Sequence, residues 1–165
     1  MNEIVQGVET GSDQVNEMVR TIVGNSTQQI DEYIDKVKSL FLSSNGLNDG
    51  ELDRIMLEIP VHIYYLCSVL QDIEVKKGVA LENAKFYENE QLLVATGTVA
   101  EKQAKATNST IKNRVVALAF KSATSLIQAK INGAMEILSS AKKVQQRRLE
   151  EMKLTKLAGN SVATF

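Results

Sequence analysis

Tryptophan is absent, and proline, cysteine and histidine each occur once, at Pro60, Cys67 and His62. A single cysteine excludes an internal disulfide, and the lack of a Cys/His group removes the usual ligands of a structural zinc. Four Phe and four Tyr are few for 165 residues, and with one proline they argue against a β-sandwich. No apolar run is long enough to cross a bilayer; the best candidate, residues 55–70, is broken by Glu58, Pro60 and His62. The opening "MNEIVQGVETGSD" is acidic and polar, unlike a secretory signal, so a cytoplasmic location is expected.

Catalytic patterns are missing as well. There is no glycine-rich phosphate loop, no GxSxG and no pair of histidines at metal-binding spacing. His62 stands between Val61 and Ile63 with no partner in sequence, and a general base needs one. Cys67 lies on an apolar helical row and reads as buried packing. Paired carboxylates such as Asp31 and Asp35 are ordinary on helix surfaces. No enzymatic activity, cofactor or metal is expected.

What the chain has is helix-forming composition and divided charge. Ala, Val, Leu, Ile, Lys, Glu and Gln dominate. Net charge is −1, yet residues 1–74 hold thirteen acidic and four basic residues, and residues 75–165 hold seven acidic and fifteen basic. Such a split suits either a basic surface for a polyanion or pairing of opposite halves between copies.

The periodicity predicts an all-α fold. A short helix is expected from about Asp13 to Val23, inside a flexible or short-helical segment 1–25. Ile30, Tyr33, Ile34, Val37, Leu40 and Phe41 share one face of a second helix, with Ser26 or Thr27 as its cap and "SSNG" (43–46) as its stop. Asn48 with Glu51 forms a capping-box signal, followed by Leu52, Ile55, Met56 and Ile59. Pro60 is expected to end or kink that helix, and a long helix should follow to the low nineties. Its apolar row would place Tyr87 in the core.

Residues 95–110 read as a polar hinge: Gly97 closes one helix, Thr98 with Glu101 opens a short one, and "TNST" breaks that again. The last helix, about Thr110 to Leu157, carries the row Val116, Phe120, Ala123, Ile127, Ile131, Ala134, Leu138 and Ala141. A second row runs through Val115, Ala119, Ser122, Leu126, Ala129 and Gly133. Both rows are rich in small residues, which permit close helix approach. The expected architecture is a long antiparallel helical hairpin with a smaller N-terminal helical layer. One helical domain would span 26–157, followed by a flexible tail at 158–165. A long hairpin has poor surface-to-volume ratio as a monomer, so a homo-oligomeric bundle is expected. Val116, Phe120, Ala123, Ile127, Ile131 and Leu138 are its candidate interface.

Basic residues crowd the second half: Lys76, Lys77 and Lys85 before the hinge, Lys112, Arg114 and Lys121 after it, then Lys142, Lys143, Arg147, Arg148, Lys153 and Lys156. Spaced cations can track a phosphate backbone, and Phe86 and Tyr87 beside Lys85 could stack on unpaired bases. Folding at the hinge should bring Lys76, Lys77, Lys85, Lys112, Arg114 and Lys121 to similar heights, so these six are the candidate DNA-binding set. The C-terminal cluster also suits a helix end, where cations favour the dipole.

The residues Lys76, Lys77, Val79, Ala80, Leu81, Phe86 and Tyr87, then a polar hinge and a long helix ending in a basic segment, resemble the UvsY-type recombination mediators of tailed phages. The resemblance covers about residues 65–155. It implies an oligomeric helical protein that binds single-stranded DNA and contacts a strand-exchange recombinase and a single-strand-binding protein. The chain departs from that pattern at Glu82-Asn83-Ala84, where the family is basic, and its first 45 or so residues have no counterpart. Two other classes fit the composition: a helical assembly or scaffolding protein of a phage particle, and a small helical inhibitor or adaptor of a host protein.

Overall fold

The computed structural model describes the backbone of residues 2–42 and 47–162, and the side chains of residues 11–42 and 47–156. Three helices account for this backbone: α1 (Asn2–Leu42), α2 (Asp49–Val94) and α3 (Val99–Val162). The fold is all-α, with no strand among the described residues.

The two capping boxes foreseen from the sequence are formed. Asn48 accepts from the Glu51 amide at 2.8 Å while its own amide donates to the Glu51 carboxylate at 2.8 Å. At α3, the Thr98 amide donates to Glu101 at 2.8 Å and the Glu101 amide donates to the Thr98 hydroxyl at 3.3 Å. Those bonds to Thr98, the backbone one foremost, hold the Glu101 carboxyl below its ordinary range. Gly97 precedes the box with φ of 118°, a conformation that side chains rarely adopt. A Cβ there would fall 2.5 Å from the Glu101 carboxylate.

Elsewhere the helices run further than local signals suggest. α1 passes through Gly24–Thr27 unbroken, because Val19, Val23, Thr27 and Ile30 form one buried row. Thr27 is therefore an interior residue and caps nothing. The N-terminal layer is no minor element: α1 has 41 residues against 46 in α2. Pro60 lies inside α2 and does not end it. Its position is exposed, so water can reach the backbone carbonyl that the missing N–H leaves free.

The break predicted at "TNST" is also absent, since α3 is one helix of 64 residues. Ser109 and Thr110 donate back to the carbonyls of Ala106 and Thr107 at 2.7 and 2.8 Å instead of capping a new helix. Thr110 is buried in line with Ala106 and Ala117, and that burial carries the helix through. The connection between α2 and α3 thus shrinks to residues 95–98. The helical backbone extends to Val162, beyond the expected tail boundary; residues 163–165 and the "SSNG" stop lie outside the described residues.

The helices contribute to two compact units. The first joins α1 up to Gln28 with Leu66–Ala129. Its interior is made largely of small residues: Ala80, Ala84, Ala106, Ala117, Ala119 and Ala123, with Val19, Val23, Leu66, Ile73 and Ile127. Within it α2 and α3 run antiparallel, and Arg114 of α3 meets Glu88 of α2 at 2.9 Å.

The second unit joins Gln29–Tyr65 with α3 from Lys130 onward. Its interior is dominated by large aliphatic residues, Ile30, Val37, Leu47, Leu52, Ile55, Ile59 and Ile131. Polar ties surround it. Lys130 pairs with Asp31, and Arg148 pairs with Asp49 at 2.7 Å while also donating to the Leu47 carbonyl. Arg54 donates to Glu58 at 2.5 Å. That hydrogen bond holds the Glu58 carboxyl below its ordinary range. Tyr33 stacks at 5.1 Å on His62. Burial, with the Glu58 charge next, pushes the Tyr33 phenol up to about 12.

Candidate nucleic-acid interface

Each helix has its own electrical sign. α1 carries seven acidic and three basic residues, α2 nine and four, and α3 four acidic and twelve basic. The change of sign along the sequence is therefore a property of α3. Every ion pair between helices that the structure records places the cation on α3: Lys130 to Asp31, Arg114 to Glu88, and Arg148 to Asp49. Part of the charge asymmetry is thus consumed inside the chain.

The six predicted DNA-binding cations divide in two. Lys77 pairs with Glu74, Lys85 with Glu82 at 2.8 Å, and Arg114 with Glu88. Lys76, Lys112 and Lys121 make no ion pair among the described residues. Such exposed pairs are worth about 0–1 kcal/mol, so an incoming phosphate can displace the carboxylates. Helix geometry also sorts the set. Lys85 is one turn from Glu88 and Lys121 is two turns from Arg114, so these four residues share the side where α2 and α3 meet. Lys112 lies two positions before Arg114, roughly 200° around α3 at 3.6 residues per turn. Lys76 lies nine positions before Lys85, about halfway around α2. The six therefore do not form one cluster: Lys77, Lys85, Arg114 and Lys121 share this side, while Lys76 and Lys112 face elsewhere.

The aromatic neighbours differ from expectation in an informative way. Tyr87 is outside the core, 47% exposed, and Phe86 is 61% exposed. Their rings meet edge to face at 5.8 Å. The row expected to bury Tyr87 is buried at Ile73, Ala80 and Ala84 and ends before it reaches Tyr87. Cys67 is exposed too, so it packs no core.

Sequence reasoning missed Lys102 and Lys105, which stood in the presumed hinge. Both lie on the first turns of α3 and make no ion pair among the described residues. The regular 102-105-112 spacing was the available signal.

The proposed interface row of α3 is split by burial. Ala123, Ile127 and Ile131 are enclosed within the chain and offer no surface to a second copy. Val116, Phe120 and Leu138 are half-buried. Val116 and Phe120 line an open apolar groove of about 500 Å³ in the first unit, with Met18 and Ile22 of α1 opposite.

Among the described residues no group of three or more His, Cys, Asp or Glu side chains could hold a metal. No described helix is long and apolar enough to cross a membrane. Comparison with protein-family models, curated proteins and solved structures finds no match.

Proposed function

We propose that this chain is a non-enzymatic, cytoplasmic protein that binds single-stranded DNA and acts as a recombination mediator, helping to load a strand-exchange recombinase. The observation that carries the reading is the exposed Phe86–Tyr87 pair beside Lys85. Two adjacent aromatic rings with no role in the core form a platform on which any base can stack, and base–aromatic stacking contributes about 1–3 kcal/mol per base. Lys121, unpaired on the neighbouring helix, and Arg114 supply the sequence-independent attraction to phosphate. The recombinase and the single-strand-binding protein enter as partners through the resemblance to UvsY-type mediators.

The test is titration of a fluorescent oligo-dT at two salt concentrations. Wild-type affinity should fall steeply with salt. Replacing Phe86 and Tyr87 together by Ala should weaken binding at both salts and leave the salt slope unchanged. Replacing Lys121 by Ala should flatten the slope by about one unit, and replacing Lys112, which faces elsewhere, should leave it unchanged. A wild-type protein that ignores oligo-dT at low ionic strength removes the reading.

A second reading, a helical assembly protein, is favoured by one observation. α2 exposes Val75, Val79, Phe86 and Leu93 along a single line within the first unit. A second copy covering that line would make Phe86 an interface residue. Phe86→Ala would then lower the solution mass, and kosmotropic salt would strengthen the association.

A further inference from the structure

The second half of α3 carries a face unlike the Phe86–Tyr87 region. Met135, Lys142, Leu149, Met152, Lys153 and Lys156 fall within about a third of the helix circumference at 3.6 residues per turn, and all are exposed. Met135, Leu149 and Met152 are 50%, 47% and 46% exposed. No acidic residue of α3 lies on this face, since Glu136, Glu150 and Glu151 point away from it by the same helical geometry, and the one carboxylate of α2 recorded there, Asp53, accepts from the half-buried Gln145 at 3.0 Å. Lys142, Lys153 and Lys156 make no ion pair among the described residues. A groove of about 430 Å³ adjoins it, lined by Met152, Thr155 and Lys156 together with Asp49, Arg148 and Glu151. In that groove Arg148 is held by Asp49, and Glu151 by Arg147 at 3.0 Å, which leaves Lys156 as its available charge.

Two properties define the occupant. Free lysines call for carboxylates or phosphates. The apolar side chains between them are flexible aliphatic ones, and α3 has no aromatic residue from Lys121 to its end at Val162. Unstacked bases favour aromatic platforms. Methionine and leucine suit the apolar side of a peptide helix laid along a groove. We infer that this face docks an acidic amphipathic peptide segment of a partner protein, whose carboxylates meet Lys142, Lys153 and Lys156 and whose apolar residues cover Leu149 and Met152. This site is separate from the proposed DNA surface.

The experiment uses the full-length protein and a labelled amphipathic peptide of about 18 residues built from Glu and Leu at helical spacing. A Lys/Leu peptide of the same pattern serves as control. Fluorescence anisotropy should show binding of the Glu/Leu peptide only. Lys142→Glu/Lys153→Glu/Lys156→Glu and Leu149→Ser/Met152→Ser should each weaken it roughly tenfold, with helicity retained by circular dichroism. The second variant should bind oligo-dT like the wild type. Three results would overturn the inference. They are peptide binding indifferent to both variants, loss of oligo-dT binding by the serine variant, or a fall in solution mass on charge reversal. The last would assign the face to a contact between copies. Absence of oligo-dT binding by the wild type would remove the DNA reading and leave this one standing.

Discussion

The two units solve the packing of the same three helices in opposite ways. The second unit puts large aliphatic side chains inside and fastens them with ion pairs, so its apolar mass stabilises its own fold. The first unit puts alanines inside and leaves Val75, Val79, Leu81, Phe86, Leu92 and Leu93 outside. Alanine lets helix backbones come close, but each one removes little apolar area from water. The second unit exposes large side chains as well, among them Leu57, Tyr64 and Leu154, so the two units differ in what they bury rather than in what they expose.

The largest expected effect tests the aliphatic interior of the second unit. Ile59→Ala, at a completely buried position, should cost about 2–5 kcal/mol. The comparable change on the surface of the first unit, Val79→Ala, should stay within about ±0.5 kcal/mol. Chemical denaturation of the two variants measures this, and equal losses would erase the contrast between the units.

Next in size is Gly97→Ala, expected to cost about 1–3 kcal/mol because the left-handed backbone at φ of 118° strains any side chain. The added methyl also meets the Glu101 carboxylate of the capping box. Thr98→Ala should cost about 1 kcal/mol by removing the cap alone. Hydrogen exchange should show either loss first in the opening turns of α3, within the first unit.

The smallest effect is a pH dependence, carried at high pH by the second unit. Tyr33 titrates at about 12 when folded against 10.0 when free, so the unfolded chain loses its proton first. Stability from this group is intact below pH 10 and falls as pH rises from 10 towards 12. The wild-type denaturation midpoint should drop across that window more than that of Tyr33→Phe. Glu58 and Glu101 act at the other end. Their carboxyls sit below the ordinary value of 4.5. What they contribute is present above that value and lost as pH falls through their depressed range, more weakly in Glu58→Gln.

Periodicity made apolar rows legible on all three helices, and local capping chemistry marked Asn48 and Thr98 as helix starts, although the helix at Thr98 was expected to be short and the last one to begin at about Thr110. Three local signals misled. Thr27, Pro60 and the "TNST" segment all read as helix boundaries, because each can end an isolated helix. In the folded chain Thr27 and Thr110 are drawn into buried rows, and Pro60 points outward where its missing hydrogen bond does little harm. The candidate cations were visible as charges, but their partners were not, since Glu88 and Arg114 lie 26 residues apart.

The sequence by itself determined the all-helical class, the two capping boxes and the assignment of positive charge to α3, because propensity, capping and charge act over a few neighbouring residues. Only the tertiary structure decided which apolar side of α2 is inside. That helix carries Ile73, Ala80 and Ala84 on one side and Val75, Val79, Phe86 and Leu93 on the other. Both lines have helical spacing, and hydrophobicity alone would bury the larger set. The buried positions of α3 in the first unit are likewise small, Ala106, Ala117, Ala119 and Ala123, and small side chains permit close helix approach. The small side is the buried one, and the large side chains are left to face outward.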